Sequence, residues 1–456
     1  LDEFNDYIKY RKIAVIGLGV SNIPLLDYLH EKKAKVTVFD QRTIDNISKD
    51  VMDKITSYSF EFSLGENYLE KLKGFDLIFR SPSCLPTTKD LKKEEERGAI
   101  VTTEIEMLIK MCPAKVIGVT GSDGKTTTTS LINAILKHAG YKTWLGGNIG
   151  NPLLTDTEKM KENDWVILEL SSFQLHTMRK SPEIAVITNI SPNHLDMHKD
   201  YKEYIDAKKN IMLYQNEGDT LIVNADNQVT ADIGKSANGA VKYFSRNGMA
   251  DVYLDGNIIK RGIVEILNIK DIKIPGMHNV ENYMAAIAAV SGLVSKEVIV
   301  NVAKTFGGVE HRIELVRTLD GVKYYNSSID SSPNRTINTL RVFPNKVIMI
   351  AGGKDKGIPY DEIGPALAEH VKVLILIGAT SDKIQEALDA EINKTGNGKD
   401  IEVIRATSYE DAVNTARSKA HDGDVVLLSP ASTSFDMFRN FEERGNLFKK
   451  IVNELN

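Results

Sequence analysis

The residues with the clearest potential for chemistry lie in the run Gly118–Thr127, which reads GVTGSDGKTT. A glycine-rich turn that follows an apolar strand and opens a helix presents backbone N–H groups to an anion. In such a turn Lys125 would add a positive charge, and Thr126 would offer its hydroxyl to Mg²⁺. The spacing is a variant of the usual pattern, because Val119 stands five residues before Gly124. The run predicts a phosphate-binding loop; the alternative is a glycine-rich turn that caps an ordinary helix.

Three polar residues in the middle of the chain could work with this loop. Glu169 ends the apolar segment WVILEL, and His194 follows AVITNI in the segment SPNHLDMH. Mg²⁺ prefers carboxylate and hydroxyl oxygens, so Glu169 and Thr126 could hold an ion together, although a carboxylate can also cap a turn. His194 could be a metal ligand or a structural histidine. Lys208 lies in YKEYIDAKKNIML, where the charge pattern alone favours a solvated helix face.

Two further polar groups follow apolar strands in the last third of the chain. Lys354 and Lys356 lie in GGKDKG after the strand VIMIA, where two glycines let the backbone approach a ligand. Ser429, Ser432 and Ser434 follow the strand DVVLL, and hydroxyls beside a helix N-terminus suit a carboxylate. Sites in open parallel sheets lie beyond the carboxyl ends of the strands, so both groups are candidates for ligand binding.

The first strand–helix–strand unit carries an incomplete dinucleotide-binding fingerprint. Gly17 and Gly19 are present, but Asn22 takes the place of the third glycine. Asp40 ends the second strand, where a ribose-binding acid lies in dinucleotide folds. Two interpretations stay open: an NAD domain, as in a dehydrogenase, or a Rossmann-like domain that uses its first turn for another nucleotide.

Three blocks of alternating strands and helices must position these residues. The second block begins near residue 95 and the third near residue 298. Continuous apolar strands between helices predict an α/β fold with parallel sheets covered on both faces. The segment 240–275 alternates more strongly between apolar and polar residues and predicts antiparallel strands.

The bulk composition narrows the function classes. The chain has 456 residues, of which 42% are hydrophobic and 26% charged, as in ordinary globular proteins. A net charge of −5 disfavours nucleic acid as a partner. The two cysteines, Cys84 and Cys112, argue against a disulfide scaffold and fit a reducing compartment. The charged N-terminus is unlike a signal peptide, and no apolar run approaches the roughly 20 residues that span a membrane. A cytoplasmic protein is therefore expected.

Ordered motifs run through nearly the whole chain. They are GLGVS (17–21), GVTGSDGKTT (118–127), GGNIGNP (146–152), ELSSFQL (169–175), NHLD (193–196), YIDAK (204–208), HNVEN (278–282), HRIE (311–314), GGKDKG (352–357) and LLSPASTSFDMFRNFEERG (427–445). Together they resemble the Mur ligases of peptidoglycan synthesis. The resemblance implies three α/β domains: a Rossmann-like domain for the UDP substrate at 1–94, a central P-loop ATPase domain at 95–297, and a Rossmann-like amino-acid-binding domain at 298–456.

The resemblance also implies a reaction. The last motif is similar to that of family members that add D-glutamate to UDP-N-acetylmuramoyl-L-alanine. ATP would phosphorylate the substrate carboxylate, the amine of D-glutamate would attack the acyl phosphate, and phosphate would leave. Such chemistry between anions needs charge neutralisation more than a side-chain nucleophile. The implied cofactors are ATP, two Mg²⁺ ions and a carbamylated lysine at Lys208, and the expected state is a monomer.

The matched positions imply roles for individual residues. Catalysis is implied for Lys125, Lys208 and His194, and metal binding for Thr126, Glu169, His194 and Lys208. ATP contacts are implied for Gly121, Ser122, Asp123, Gly124, Lys125, Thr126, Thr127, Asn282 and Arg312. Substrate contacts are implied for Val20, Ser21, Asp40, Arg42, Asn148, Ser171, Ser331, Lys356, Ser434, Phe435 and Phe441.

The sequence departs from the family pattern at three positions. Ser327 stands where the family often has an aspartate that contacts the nucleotide, and Asp330 follows three residues later. Ser83 and Asn193 replace a common glycine and a common acid. Two alternatives within this resemblance stay open: another amino-acid ligase of the Mur or folylpolyglutamate type, and a nucleotide-binding relative without turnover.

Overall fold

The computed structural model describes residues 8–19, 22–82, 84–150, 152–192, 198–355 and 357–456. These residues form three β-sheets with helices between the strands, so the predicted α/β fold is confirmed. The chain divides into two compact units, Leu1–Asp271 with Val280–Ala303 and Ile272–Asn279 with Lys304–Asn456. None of the helices in the described ranges has the length and apolar character to cross a lipid bilayer.

The first sheet consists of five parallel strands from the N-terminal part of the chain. They are β1 Lys12–Ile16, β2 Lys35–Asp40, β3 Glu61–Leu64, β4 Leu77–Arg80 and β5 Ile100–Thr102, arranged in the order β3-β2-β1-β4-β5. The accompanying helices are α1 Asn22–Glu31, α2 Lys49–Ser57 and α3 Lys89–Glu96. Because β5 pairs with β4, this sheet continues beyond residue 94. The domain limits at 94 and 297 stay predictions.

The second sheet has nine strands and surrounds the glycine-rich loop. They are β6 Lys115–Thr120, β7 Thr143–Gly147, β8 Trp165–Glu169, β9 Ile184–Ile187, β10 Thr220–Asn224, β11 Ala240–Ser245, β12 Val252–Asp255, β13 Ile258–Arg261 and β14 Val264–Asn268, in the order β14-β13-β12-β11-β10-β9-β6-β8-β7. Only the pairings of β12 with β13 and of β13 with β14 are antiparallel, where the sequence pattern predicts antiparallel strands. The helices of this part are α4 Glu104–Met111, α5 Lys125–His138, α6 Ser172–Leu175, α7 Tyr201–Leu213, α8 Gln228–Gly234, α9 Met277–Ala289 and α10 Lys296–Thr305.

The third sheet lies in the second compact unit and has six strands. They are β15 Glu314–Leu319, β16 Val322–Asn326, β17 Val347–Ala351, β18 Val371–Leu376, β19 Glu402–Arg405 and β20 Val425–Leu428, in the order β15-β16-β20-β17-β18-β19. Its helices are α11 Pro333–Leu340, α12 Ile363–His370, α13 Ser381–Thr395, α14 Tyr409–Lys419 and α15 Phe441–Glu454. The strands from β16 to β20 pair in parallel, as predicted, and β15 adds an antiparallel hairpin with β16 that the sequence pattern does not predict.

Strand β6 explains where the loop residues lie. It pairs with β8 on one side and with β9 on the other, so it is an interior strand, and its residues after Lys115 are buried. A central position suits its apolar sequence, since strands buried on both faces lose the alternation of polar and apolar residues. The end of β6 therefore lies at the centre of the sheet edge, flanked by the ends of β8 and β9.

Candidate functional site

The glycine-rich loop joins the end of β6 to the start of α5. Gly124 is the N-cap of α5 and adopts the left-handed conformation, with φ at +76°. A Cβ atom at this position would lie 2.3 Å from Oδ1 of Asn282, so a side chain would collide with the neighbouring helix α9 as well as strain the backbone. Thr128 donates a hydrogen bond to the same oxygen at 3.2 Å. Asn282 thus lies directly against the loop.

The first half of the loop is held by the residues that follow β9. The N–H of Ser122 donates to the carbonyl of Asn189 at 2.8 Å, and the N–H of Asp123 donates to Asn189 Oδ1 at 3.0 Å. The hydroxyl of Thr188 donates to the carbonyl of Asp123 at 2.6 Å. These two loop N–H groups are therefore used inside the protein. The first turn of α5, where backbone N–H groups have no acceptor within the helix, is the better place for a phosphate.

Two lysine amines converge on one carbonyl oxygen of the loop. Lys125 Nζ donates to the carbonyls of Gly121 and Ser122, each at 2.9 Å. Lys208 Nζ also donates to the carbonyl of Gly121 at 2.9 Å, and lies 4.6 Å from the ring centroid of Tyr204. Burial, together with the nearby Lys125 ammonium, lowers the pKa of Lys208 well below its ordinary value.

The interpretation of Lys208 as a solvated residue is wrong. Its side chain is buried, with only 1% of the residue exposed, on the face of α7 that also buries Tyr204 and Ile211. That face packs towards β6, which the alternation of charges along the helix does not reveal. The Lys208 side chain therefore extends from α7 to the glycine-rich loop at the end of β6.

Glu169 ends β8 and offers a carboxylate beside the loop. The residue is buried, and Oε1 accepts a hydrogen bond from Asn148 Nδ2 at 2.9 Å. Oε2 has no hydrogen-bond partner among the described residues. A buried carboxylate oxygen without a donor is costly in a protein interior, whereas an oxygen-preferring cation would satisfy it. The donor set of Glu169 and the buried hydroxyl residue Thr126 therefore fits Mg²⁺.

The turn after β7 brings Asn148 to this carboxylate. The N–H of Asn148 donates to the carbonyl of Glu169 at 2.8 Å. Gly147 precedes it with φ at +97°, and a Cβ there would lie 2.1 Å from the same carbonyl oxygen. Ser171, two residues beyond Glu169, caps α6 in a reciprocal capping box with Gln174. Asn148 and Ser171 thus each have a structural role, and their substrate contacts stay predictions.

In the first sheet, Asp40 and Arg42 form a bidentate pair beside the first turn. Arg42 donates to both carboxylate oxygens of Asp40, at 2.9 and 2.8 Å, and the N–H of Leu18 donates to one of them at 2.7 Å. Burial opposes the charge, but these hydrogen bonds from Arg42 and Leu18 lower the pKa of Asp40 below its ordinary value. Both carboxylate oxygens of Asp40 therefore already accept hydrogen bonds. Through the bond from Leu18, the carboxylate stabilises the turn that follows β1.

The second unit contains a buried polar cluster at the ends of β16 and β20. The Ser429 hydroxyl donates to Asp330 Oδ2 at 2.8 Å, and Asp330 is almost fully buried. Burial raises the pKa of Asp330, while hydrogen bonds from Ser327 and Ser429 and the charge of Arg312 oppose the rise. Asp330 is therefore hydrogen-bonded to Ser327, the residue that stands where the Mur ligase pattern often has an aspartate. The half-buried Ser331 follows it in the chain.

A buried arginine, which the sequence analysis did not single out, organises the serine-rich motif. Arg444 Nη1 donates to the carbonyl of Ser432 at 3.0 Å, and Nη2 donates to that of Ser328 at 2.8 Å. Ser434 is buried, whereas Phe435 is 59% exposed. Phe441 begins α15 and accepts a hydrogen bond from the Ser328 hydroxyl at 2.8 Å. The sequence does contain a signal for this residue, because Arg444 is a charged residue on the otherwise apolar face of α15.

Several predicted site residues lie outside the described residues. They are Val20, Ser21, His194 and Lys356, together with Ser83 and Asn193. Their predicted roles stay predictions, as do the roles of the residues placed above. The structure brings together the loop, Asn148, Glu169, Lys208 and Asn282 in the first unit, and Arg312, Ser331, Ser434 and Phe441 lie in the second.

Three family models match the chain in order. "Mur ligase MurD-like, N-terminal domain" matches residues 11–103, "Mur ligase middle domain" matches 119–290, and "Mur ligase, glutamate ligase domain" matches 311–432.

Curated relatives match over the full length. A UDP-N-acetylmuramoylalanine–D-glutamate ligase of Ruminiclostridium cellulolyticum is 52% identical over 461 residues, covering 100% of this chain and 99% of the relative. Ligases of the same name from Acetivibrio thermocellus and Clostridium acetobutylicum are 52% and 51% identical with the same coverage.

Solved structures share the fold at low identity. A UDP-N-acetylmuramate–alanine ligase of Thermotoga maritima superposes with a TM-score of 0.60 at 17% identity, covering 97% of this chain and 99% of that one. A pseudomurein peptide ligase of Methanothermus fervidus gives a TM-score of 0.54 at 20% identity, covering 98% and 100%.

Proposed function

This chain belongs to the Mur ligase family and is an ATP-dependent amino-acid ligase of peptidoglycan synthesis, and we propose that its reaction joins D-glutamate to UDP-N-acetylmuramoyl-L-alanine. The observation that carries the proposal is the pairing of a lysine-bearing glycine loop with a buried carboxylate, Glu169, that has one unsatisfied oxygen. The relatives supply the identity of the amino acid, because they are named as D-glutamate ligases.

The loop would bind ATP through the first turn of α5. Lys125 already lies over the loop carbonyls of Gly121 and Ser122, and it would exchange them for phosphate oxygens when the nucleotide binds. A cation at that point stabilises the charge that develops on the transferred phosphoryl group. Asn282 packs against Gly124 and would contact the part of the nucleotide that extends beyond the loop.

Thr126 and Glu169 would hold Mg²⁺ beside the phosphates, and His194 and Lys208 would hold a second ion. Bound there, the cations would neutralise charge between the phosphate and the substrate carboxylate. An ammonium at Lys208 would repel them, but its buried amine is shifted towards the neutral form. A neutral amine can add CO₂ and release a proton, which turns it into an anionic carbamate with two oxygens. We include carbamylation of Lys208 in the proposal for this reason.

The amino-acid substrate would bind in the second unit. Lys356 and Ser434 would contact the carboxylates of D-glutamate, with Ser331, Phe435 and Phe441 around it. The N-terminal residues Val20, Ser21, Asp40 and Arg42 would contact the uridine end of the other substrate, and Asn148 and Ser171 its muramoyl end. Arg312 would contact the nucleotide. The enzyme would act as a monomer in the cytoplasm, where ATP and both substrates would be available.

The decisive experiment is phosphate release with UDP-N-acetylmuramoyl-L-alanine, ATP and Mg²⁺ against a panel of amino acids. We expect release with D-glutamate and none above background with L-glutamate, L-alanine or D-alanine. Release that depends on another amino acid would assign the chain to a sister ligase, and ATP binding without release for any amino acid would make it a relative without turnover.

A variant of the loop lysine ties this activity to the site. Lys125→Ala should lower kcat by about 10²-fold or more, because the charge acts on the transferred phosphoryl group. Lys137→Ala, an exposed lysine at the far end of the same helix, is the matched control and should retain wild-type turnover. Comparable turnover of both variants would remove ATP chemistry from this loop.

A further inference from the structure

A cluster of potential metal-ligating side chains lies between α6 and α7 and includes none of the residues assigned to the nucleotide. His176 directly follows α6, Glu203 lies in the first turn of α7, and His198 precedes that helix. One potential ligand atom from each residue lies within 4.8 Å of the other two. None of the three has a role in the proposed reaction, and the motifs of the sequence do not single them out.

The distances within the cluster match the edges of a small coordination polyhedron. His176 Nε2 is 3.3 Å from Glu203 Oε1, and His198 Nδ1 is 3.7 Å from Glu203 Oε2. A tetrahedral zinc ion with bonds of about 2.0–2.1 Å separates its ligand atoms by about 3.4 Å. These two His–Glu separations are therefore close to the spacing that one such ion requires, and one ligand atom from each residue lies within 4.8 Å of the others. A fourth position would be left for water.

The second nitrogen of His198 orients this residue. Nε2 lies 3.0 Å from the hydroxyl of Ser172, and the ring stacks on Phe173 with centroids 5.0 Å apart. A hydrogen bond from Nε2–H to Ser172 would fix the tautomer that has its Nδ1 lone pair facing Glu203. Metal-binding histidines commonly have such a partner on the other ring nitrogen, which holds the ring in position.

The cluster is accessible from the surface. The His198 side chain is buried, but those of His176 and Glu203 are 19% and 26% exposed and line a surface pocket. The other charged residues of this pocket are Asp200, Asp206, Lys199, Lys202 and Lys209. The Lys199 N–H contacts Oε2 at 2.6 Å and leaves Oε1 directed at His176.

We propose that His176, His198 and Glu203 form a binding site for one transition-metal ion of the zinc type, separate from the Mg²⁺ site beside the loop. Two imidazoles and one carboxylate favour zinc or cobalt over magnesium, which prefers oxygen ligands and keeps several waters. The ion would connect the end of α6 to the first turn of α7, the helix that carries Lys208. The proposal does not depend on the substrate of the ligase, because it concerns metal binding alone.

The test uses Co²⁺ as a coloured probe on the full chain. Metal-free protein in excess Mg²⁺ is titrated with Co²⁺, and the visible absorption of tetrahedral cobalt is recorded. We expect one equivalent to produce the band in wild type, and Zn²⁺ to displace it. His176→Asn and Glu203→Gln should each weaken binding at least about tenfold. Glutamine keeps an acceptor for the Lys199 N–H, so α7 retains its first turn.

Two controls make the outcome decisive. His138→Asn changes an exposed histidine at the end of α5, and Glu169→Gln removes the carboxylate proposed for Mg²⁺; both should leave the cobalt band unchanged. Circular dichroism confirms that each variant is folded. No band in wild type, or a band that survives both His176→Asn and Glu203→Gln, would overturn the proposal. A band lost only in Glu169→Gln would place the ion at the loop instead.

Discussion

At the scale of single residues, the most unusual arrangement is the convergence of Lys125 and Lys208 on the carbonyl of Gly121. Two ammonium groups this close repel each other, and the buried one has its pKa lowered for that reason as well as by desolvation. An anion bound above the loop, or loss of the proton from Lys208, relieves the repulsion.

The unsatisfied oxygen of Glu169 leads to a prediction about magnesium. Glu169→Gln removes the anionic charge but keeps an oxygen that can accept from Asn148. We expect the Mg²⁺ concentration for half-maximal turnover to rise at least about tenfold, because a neutral amide is a poorer ligand for a hard cation. Turnover measured across a Mg²⁺ series gives this value.

Glu162→Gln is the control for this experiment, since Glu162 is exposed in the loop before β8. An unchanged Mg²⁺ dependence in Glu169→Gln would show that the carboxylate does not hold the ion.

The sequence predicts some of these residues better than others. Lys125 and Thr126 can be assigned from their order after a glycine-rich turn, because the chemistry is encoded locally. The burial of Lys208 cannot, since it depends on which face of α7 packs against β6. The cluster of His176 with Glu203 is equally hidden, because 26 residues of chain separate two side chains that meet only in the fold.

At the scale of elements, the turn after β7 is fixed by a contact between backbones. A Cβ at position 147 would lie 2.1 Å from the carbonyl oxygen of Glu169, in β8 beside it, and φ is +97°. We expect Gly147→Ala to lower the free energy of unfolding by at least about 3 kcal/mol, measured by urea denaturation.

Gly140→Ala is the matched control. Gly140 also has a positive φ, +91°, but no atom lies within 4 Å of a Cβ built there. Only the cost of the left-handed conformation remains, about 1–2 kcal/mol. Equal losses in the two variants would mean that the turn relaxes and that the close contact with β8 is unimportant.

Helix α4 begins with a buried carboxylate that should make stability depend on pH. Burial raises the pKa of Glu104 to about 7, although the N–H of Leu154 donates to it at 3.0 Å. Between its ordinary pKa and about 7, the folded protein holds a proton that the unfolded chain has lost. The free energy of unfolding therefore falls as pH rises through this range, by about 3 kcal/mol in total.

Glu104→Gln removes this dependence while keeping an acceptor for Leu154. We expect the variant to match wild type at about pH 4, below the ordinary pKa of the carboxyl group, and to exceed its free energy of unfolding by about 3 kcal/mol at pH 8. Glu96→Gln, an exposed residue at the end of α3, should follow the wild-type curve. Parallel curves for wild type and Glu104→Gln would contradict a raised pKa.

Most elements could be predicted from hydrophobic pattern, and the missed ones share a physical cause. Strands β2, β6 and β16 coincide with the runs KVTVFD (35–40), KVIGVT (115–120) and VKYYN (322–326), whose apolar and β-branched residues predict strands. Strand β3 is a run of only four residues, EFSL, at the edge of its sheet, and β7 ends in two glycines, so neither gives a clear strand signal. These edge strands are specified by pairing with a neighbour rather than by their own composition.

At the scale of the whole molecule, the sequence predicts three domains but not how their cores join. One buried apolar cluster contains residues of the first sheet, such as Val15 and Val38, and residues of the second, such as Val166 and Leu168. The two sheets accordingly belong to one compact unit. Periodicity assigns each strand to a core, but it carries no information about a core shared by two sheets.

Arg80 links the first sheet to the segment 173–177, and this link bears on the exchange of domains between related proteins. It ends β4, is almost fully buried, and donates to the carbonyl of Phe173 at 2.8 Å and to the hydroxyl of Thr177 at 2.9 Å. We expect a fragment of residues 1–103 to unfold without a cooperative transition in thermal denaturation, whereas residues 1–303 retain one. Chimaeras that exchange the first domain should therefore remain stable only when they inherit the 173–177 segment together with it.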